Sequence, residues 1–170
     1  MVASGALALT QIIGIYIRLP IGEVDRLRER PELLPKYDPR VALADGRAVD
    51  LGRAWEDLGV LLDGGAKLPD HGPTVGELAL PETDSRATWS YVEPSRVAAM
   101  AIDLASHRQN FRKLYVVDGE DTDPAMAAAR TGGYRRHDDY MMTKLAQLAA
   151  HYATAAANGE AMLVRIGERI

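Results

Sequence analysis

Residues 11–19, QIIGIYIRL, alternate closely: Ile13, Ile15, Ile17 and Leu19 fall on one side, and Ile12, Gly14 and Tyr16 on the other. Both sides are apolar and the only charge stands near the end, which predicts a strand buried on both faces. After Pro20, residues 21–30 predict a short helix that turns Val24 and Leu27 inward and stops at Pro31. Residues 31–49 show little periodicity and several turn formers, the pattern of a connector. Asp50 then predicts an N-cap for the segment VDLGRAWEDLGVLLDGG. Trp55, Leu58 and Leu62 recur there at i, i+3 and i+7, with Leu51 and Ala54 beside them, and Gly64-Gly65 closes the helix. The acids of this segment therefore read as a cap and a wet helix face, not as chemistry, and Trp55 as core.

Residues 66–88 are rich in Pro, Gly and Thr and predict irregular chain with one short strand or turn over 75–80. A loop of that length in a small domain is either functional or poorly ordered. Trp89–Val92 predicts a short strand. Pro94 fits the first turn of a helix whose stripe is Val97, Ala101 and Leu104, with Met100 and Ala105 alongside and further helix over Arg108–Leu114. An acidic loop follows over 118–133, with a short helical piece at Pro124–Arg130. The last long helix, from about Asp138 to Asn158, carries Met141, Leu145, Leu148, Tyr152 and Ala155 on its inner stripe. Residues 160–166 alternate again, Ala161, Leu163 and Arg165 against Met162, Val164 and Ile166, and predict a closing strand. Unpaired strands leave backbone groups unsatisfied. The two terminal strands are therefore expected side by side, near the middle of a small mixed sheet covered by several helices: an α/β fold of α+β character.

Composition adds limits. The chain has 170 residues, 47% of them hydrophobic and 26% charged, which suits one globular domain. A net charge of −4 with interspersed signs gives no whole-molecule field for nucleic acid or an anionic membrane. No cysteine is present, which removes disulfides, thiolate zinc sites and cysteine nucleophiles and suits a cytoplasmic protein. The opening MVASGALALT lacks a basic region and a small-residue cleavage site, so residues 1–10 read as a flexible leader and not a signal peptide. No apolar stretch is long enough to span a bilayer.

Five segments, taken in order, resemble the YfbM-like family of bacterial proteins of unknown function (domain of unknown function family 1877). They are IIGIYI, VDLGRAWEDLGVLLDGG, PTVGELAL, YVEPSRVAAMAIDLAS and LAQLAAHYATAAANGEAMLVRIG. The resemblance covers residues 11–167 and implies a mixed α/β fold with a small sheet. It implies no activity, cofactor or partner. Members often carry a Tyr-Pro…Trp segment before the long helix, where this chain has Tyr134-Arg135-Arg136-His137.

No motif assigns a reaction. His71, His107, His137 and His151 lack the i, i+3 or i+4 spacing of a helical metal site, and no metal or cofactor is expected. His137-Asp138-Asp139 reads as an acid-rich first helical turn. Asp118, Glu120, Asp121 and Asp123 do not complete a calcium loop. Ser90, Ser95 and Ser106 sit in no nucleophile elbow. Gly132-Gly133, with Arg130, Arg135 and Arg136 near by, is the best anion-site candidate. A pocket of Trp55, Trp89 and Tyr91 beneath the 66–88 loop is one alternative, but Trp55 lies on the apolar stripe and reads as core. That leaves Trp89 and Tyr91 for a site with the 66–88 loop and the Gly132–His137 segment. The leading expectation is a non-enzymatic ligand-binding or protein-interaction domain, monomeric or homodimeric, that binds a small anionic ligand or a protein partner. Arg135 and Arg136 would hold the anionic group, and Trp89 and Tyr91 its apolar part. The alternatives are a small hydrolase using His137 with Asp138 or Asp139, and an immunity- or antitoxin-like partner of another protein.

Overall fold

The computed structural model describes residues 10–63, 68–83, 85–115 and 135–170; for 112–115 and 135–138 it describes the backbone alone. Strand β1 (Ile12–Leu19) leads into helix α1 (Ile21–Glu29), a 3-10 helix (Pro31–Lys36), α2 (Pro39–Ala44) and β2 (Ala48–Gly52). Helix α3 (Ala54–Asp63) follows, then β3 (Leu78–Ala79), β4 (Ala87–Val92), α4 (Pro94–Tyr115), α5 (Arg135–Asn158) and β5 (Ala161–Glu168). The five strands form one sheet in the order β2-β1-β5-β4-β3. The terminal strands β1 and β5 thus pair along their full length, Ile12 opposite Glu168 and Leu19 opposite Ala161, as the terminal alternation predicts.

Every pairing is antiparallel, where a mixed sheet was expected. The reason for β4 and β5 is the connection between them. Helices α4 and α5 run out and back, so β5 starts at the end of the sheet where β4 finished. A parallel neighbour would need one crossover helix instead of two.

The sheet is buried on both faces. Helices α3, α4 and α5 cover one, packing Trp55, Leu58, Leu104, Phe111, Leu145 and Tyr152 against Tyr16, Met162 and Val164. Helices α1 and α2 with the 3-10 helix cover the other, packing Val24, Leu27, Leu34 and Ala42 against Ile13, Ile15, Ile17 and Leu163. The predicted inner stripe of α5 is buried throughout. Helix α4 is continuous and buries Val97, Met100, Leu104 and Phe111, whereas Ala105 faces solvent.

Three local expectations are corrected. Asp50 is not a helix cap; it lies in β2, where its carboxylate accepts from the Gly52 amide at 2.6 Å, closing the turn that precedes α3. Leu51 is buried as a strand residue, and the helical period begins only at Ala54. Residues 31–49 are not a bare connector: Pro31 and Pro39 each open a short helix, Asp38 caps the second, and β2 begins at Ala48. The short strand expected within 75–80 is β3. The acidic 118–133 stretch and Gly64-Gly65 lie outside the described residues. Among the described residues no helix is long and apolar enough to cross a membrane.

Candidate functional site

Strand β4 alternates so that Trp89 and Tyr91 point to the α1–α2 face, together with Ile15, Leu163 and Leu34. Trp55 belongs to the core on the opposite face, so the three aromatics do not share a pocket. Trp89 is only 5% exposed, because neighbours from two other segments close over it. Tyr37, just past the 3-10 helix, meets its ring edge-on with centroids 6.0 Å apart and planes at 85°. Arg165 stands directly opposite Trp89 in the β4–β5 register and sets its guanidinium 5.9 Å from the ring. Arg165 is itself 5% exposed and donates from Nη1 to the Glu168 carbonyl at 2.9 Å. The buried indole Nε1 of Trp89 has no hydrogen-bond partner in the structure. Tyr91 lies beneath Arg28, whose guanidinium is 5.4 Å from its ring.

Beside this aromatic pair an open cleft of about 460 Å³ lies between the helical layer and the end of the sheet. Residues 34–40 form one wall; Arg86, Trp89, Arg165 and residues 168–170 form the other. Five of the lining residues are basic, Lys36, Arg40, Arg86, Arg165 and Arg169, against the acidic Asp38 and Glu168. In a chain of net charge −4 this is a local reversal of sign. Arg40 grips Asp38 with a two-pronged ion pair, Nε to Oδ1 at 3.0 Å and Nη2 to Oδ2 at 3.1 Å. That pairing holds the Asp38 carboxyl below its ordinary range. The pair is exposed, and exposed ion pairs are cheap to exchange for another partner.

Of the two expected ligand-binding residues whose side chains are described, Trp89 and Tyr91, Trp89 lines this cleft. Tyr91 is buried beside it. Arg135 and Arg136 begin α5, which packs on the other face of the sheet, with β2 and α4. Their side chains, and those of His137 and Asp138, lie outside the described residues, as does Gly132-Gly133. Asp139 is exposed. Ser90 does not act as a free nucleophile: its hydroxyl donates to the Val75 carbonyl at 2.7 Å. The cleft residues Lys36, Tyr37, Arg40, Arg86 and Arg169 carry no local motif. Arg165 does leave a trace, as the one charge on the otherwise apolar side of the β5 alternation.

A second polar cluster sits at the far end of the sheet. Arg18 pairs with Glu160 at 3.3 Å and donates to the Gly46 carbonyl at 3.2 Å. His151 of α5 is buried beside it. Burial first, and then the Arg18 charge, lowers the His151 pKa to about 4. His151 is therefore a neutral core residue near neutral pH. Among the described residues, no group of three or more His, Asp or Glu side chains is placed to hold a metal ion.

The architecture is an α/β domain built on an antiparallel five-stranded sheet with helices on both faces. The chain belongs to the family described as domain of unknown function (DUF1877), whose model matches residues 11–165. It is similar in fold to YfbM from Escherichia coli, a protein of unknown function. The two share 18% sequence identity and superpose with a TM-score of 0.56 over 91% of this chain and 99% of that one. No curated protein matches the sequence.

Proposed function

We propose that the protein is a binding domain for a small anionic ligand, taken up in the cleft over Trp89. The observation that carries this reading is the placement of five basic side chains around a buried indole in an otherwise acidic chain. Excess positive charge on both walls suits an anion. Tyr37, packed edge-on against the buried Trp89, gives the site an apolar edge beside its basic groups. Concave sites with a few convergent polar groups are where small ligands bind. This reading keeps Trp89 from the sequence and, in place of Arg135 and Arg136, uses Lys36 of the 3-10 helix, Arg40 of α2, Arg86 just before β4, Arg165 of β5 and Arg169 just after it.

The test uses a Trp55→Phe background, in which Trp89 is the only indole. Titration with a panel of small carboxylates and phosphates is expected to change its emission for at least one compound. Binding should weaken with added salt. The Lys36→Ala/Arg169→Ala double variant should lose about tenfold or more in affinity, as expected for charge-assisted hydrogen bonds. If no anion changes the emission, or if the double variant binds unchanged, the cleft is not an anion site.

A further inference from the structure

A second cleft, of about 260 Å³, adjoins the first and is lined by Glu23, Arg26, Leu27, Leu33, Lys36 and Tyr37. Lys36 and Tyr37 line both clefts, so the half-buried Tyr37 ring stands at the waist between them. The two halves differ in chemistry. The first has the basic cluster; the second has the buried Leu27, the half-buried Leu33 and the Tyr37 ring, with Glu23 and Arg26 of opposite sign at its rim. Apart from Lys36, which belongs to both clefts, the charges of the second cleft offset each other. Apolar matter set there would leave water for contact with two leucines and an aromatic edge.

Resting on the reading of the Trp89 cleft as an anion site, we propose that the ligand is a short single-chain anionic amphiphile. Its head lies among the basic side chains over Trp89, and its apolar tail passes Tyr37 into the cleft of Leu27 and Leu33. Each exposed basic side chain adds only modestly to the binding of a solvated head group. Each buried methylene of a tail multiplies affinity about fourfold. The second cleft, at about 260 Å³, is finite, so the gain per methylene must end once the tail has filled it.

The experiment titrates the full chain with butanoate, hexanoate and octanoate, below their aggregation concentrations, by calorimetry. Affinity is expected to rise about threefold to fourfold per methylene until the cleft is full. Leu33→Ser and Leu33→Trp, at a half-buried position in the proposed tail cleft, should flatten the rise in affinity from butanoate to octanoate, read as the ratio of the two affinities within each protein. A flat series in the parent, or an undiminished one in both variants, overturns the amphiphile while leaving the anion site standing. Absence of binding by every carboxylate overturns both. Sedimentation of the chain with phosphatidylglycerol vesicles, with free octanoate left unbound, overturns the assignment in favour of a lipid surface.

Discussion

Gly14 and Trp55 meet so closely that each fixes the other. A β-carbon placed on Gly14 would come 2.7 Å from the Trp55 Cβ, with the Tyr16 hydroxyl 3.0 Å away. Gly14→Ala is therefore expected to cost about 1–3 kcal/mol through overpacking, and Trp55→Ala about 3–5 kcal/mol through the cavity it leaves. Chemical-denaturation midpoints check both; an unmoved midpoint for Trp55→Ala would remove it from the core. His151 supplies a pH signature. Its folded pKa of about 4 lies below its ordinary value of 6.5, so the unfolded chain takes up the proton first as pH falls. Stability from this group is complete above pH 6.5, declines as pH drops and is lost by pH 4. Between pH 7.5 and 5.0 the parent should lose about 2 kcal/mol that a His151→Gln variant does not lose. Urea midpoints at the two pH values measure this, and equal slopes in both proteins would refute it. Trp55 was legible as core because helical period is a local signal. Trp89 was singled out, but its burial was not legible, since Tyr37 and Arg165 reach it from 52 and 76 positions away along the chain.

The segment that looked least structured, 68–80, is held by side chains from distant elements. The buried Tyr16 hydroxyl donates to the Thr74 carbonyl at 2.6 Å, and Tyr152 donates to the Pro73 carbonyl at 2.9 Å. Burial raises both phenol pKa values, so both remain donors across the ordinary pH range. Gly72 and Gly76 exchange backbone hydrogen bonds at 2.8 Å each, which closes the tip. Gly76 has a φ of 79° and sits against Ser90, so a side chain there meets both strain and a clash. Tyr152→Phe deletes one clasp and leaves the Pro73 carbonyl without its donor. The expected cost is about 1–2 kcal/mol, with faster proteolysis within 68–80; limited digestion with identification of the cut sites reads it out. Composition made this stretch look irregular, and by regular elements it nearly is. The clasps were illegible because each joins it to a tyrosine on a strand or helix more than 55 residues away. Likewise the start of α3 was misplaced because Asp50 fits two local roles, and pairing with β1 selects the strand.

At the scale of the molecule, the sheet's centre comes from the two ends of the sequence. Two buried alternations demanded partners, and each satisfies the other, so that pairing was legible without coordinates. Strand order at the edges and the antiparallel sense depended on how α4 and α5 return, which no local pattern states. The Arg169 amide donates to the Gln11 carbonyl at 3.1 Å, which places the start of β1 beside the end of β5. A circular permutant that links residue 169 to residue 11 with a short flexible linker, opened at the exposed Glu82–Thr83, should unfold cooperatively with nearly the parent midpoint. Deleting 161–170 should abolish the cooperative transition, because β1 and β4 then lose the strand between them. Circular dichroism melts distinguish these outcomes, and a cooperative melt of the deleted chain would contradict this role for β5.

That central pairing also sets a schedule for the growing polypeptide. Strand β1 is synthesised about 150 residues before its partner β5. At about 5–20 residues per second, this is a delay of roughly ten to thirty seconds. Throughout it, IIGIYIRL has β2 available for one edge but lacks the central partner for the other, whatever helices have already formed. Final assembly must therefore follow synthesis of residues 161–168, and a nascent chain halted before them presents its most adhesive segment to the cell's holdase chaperones.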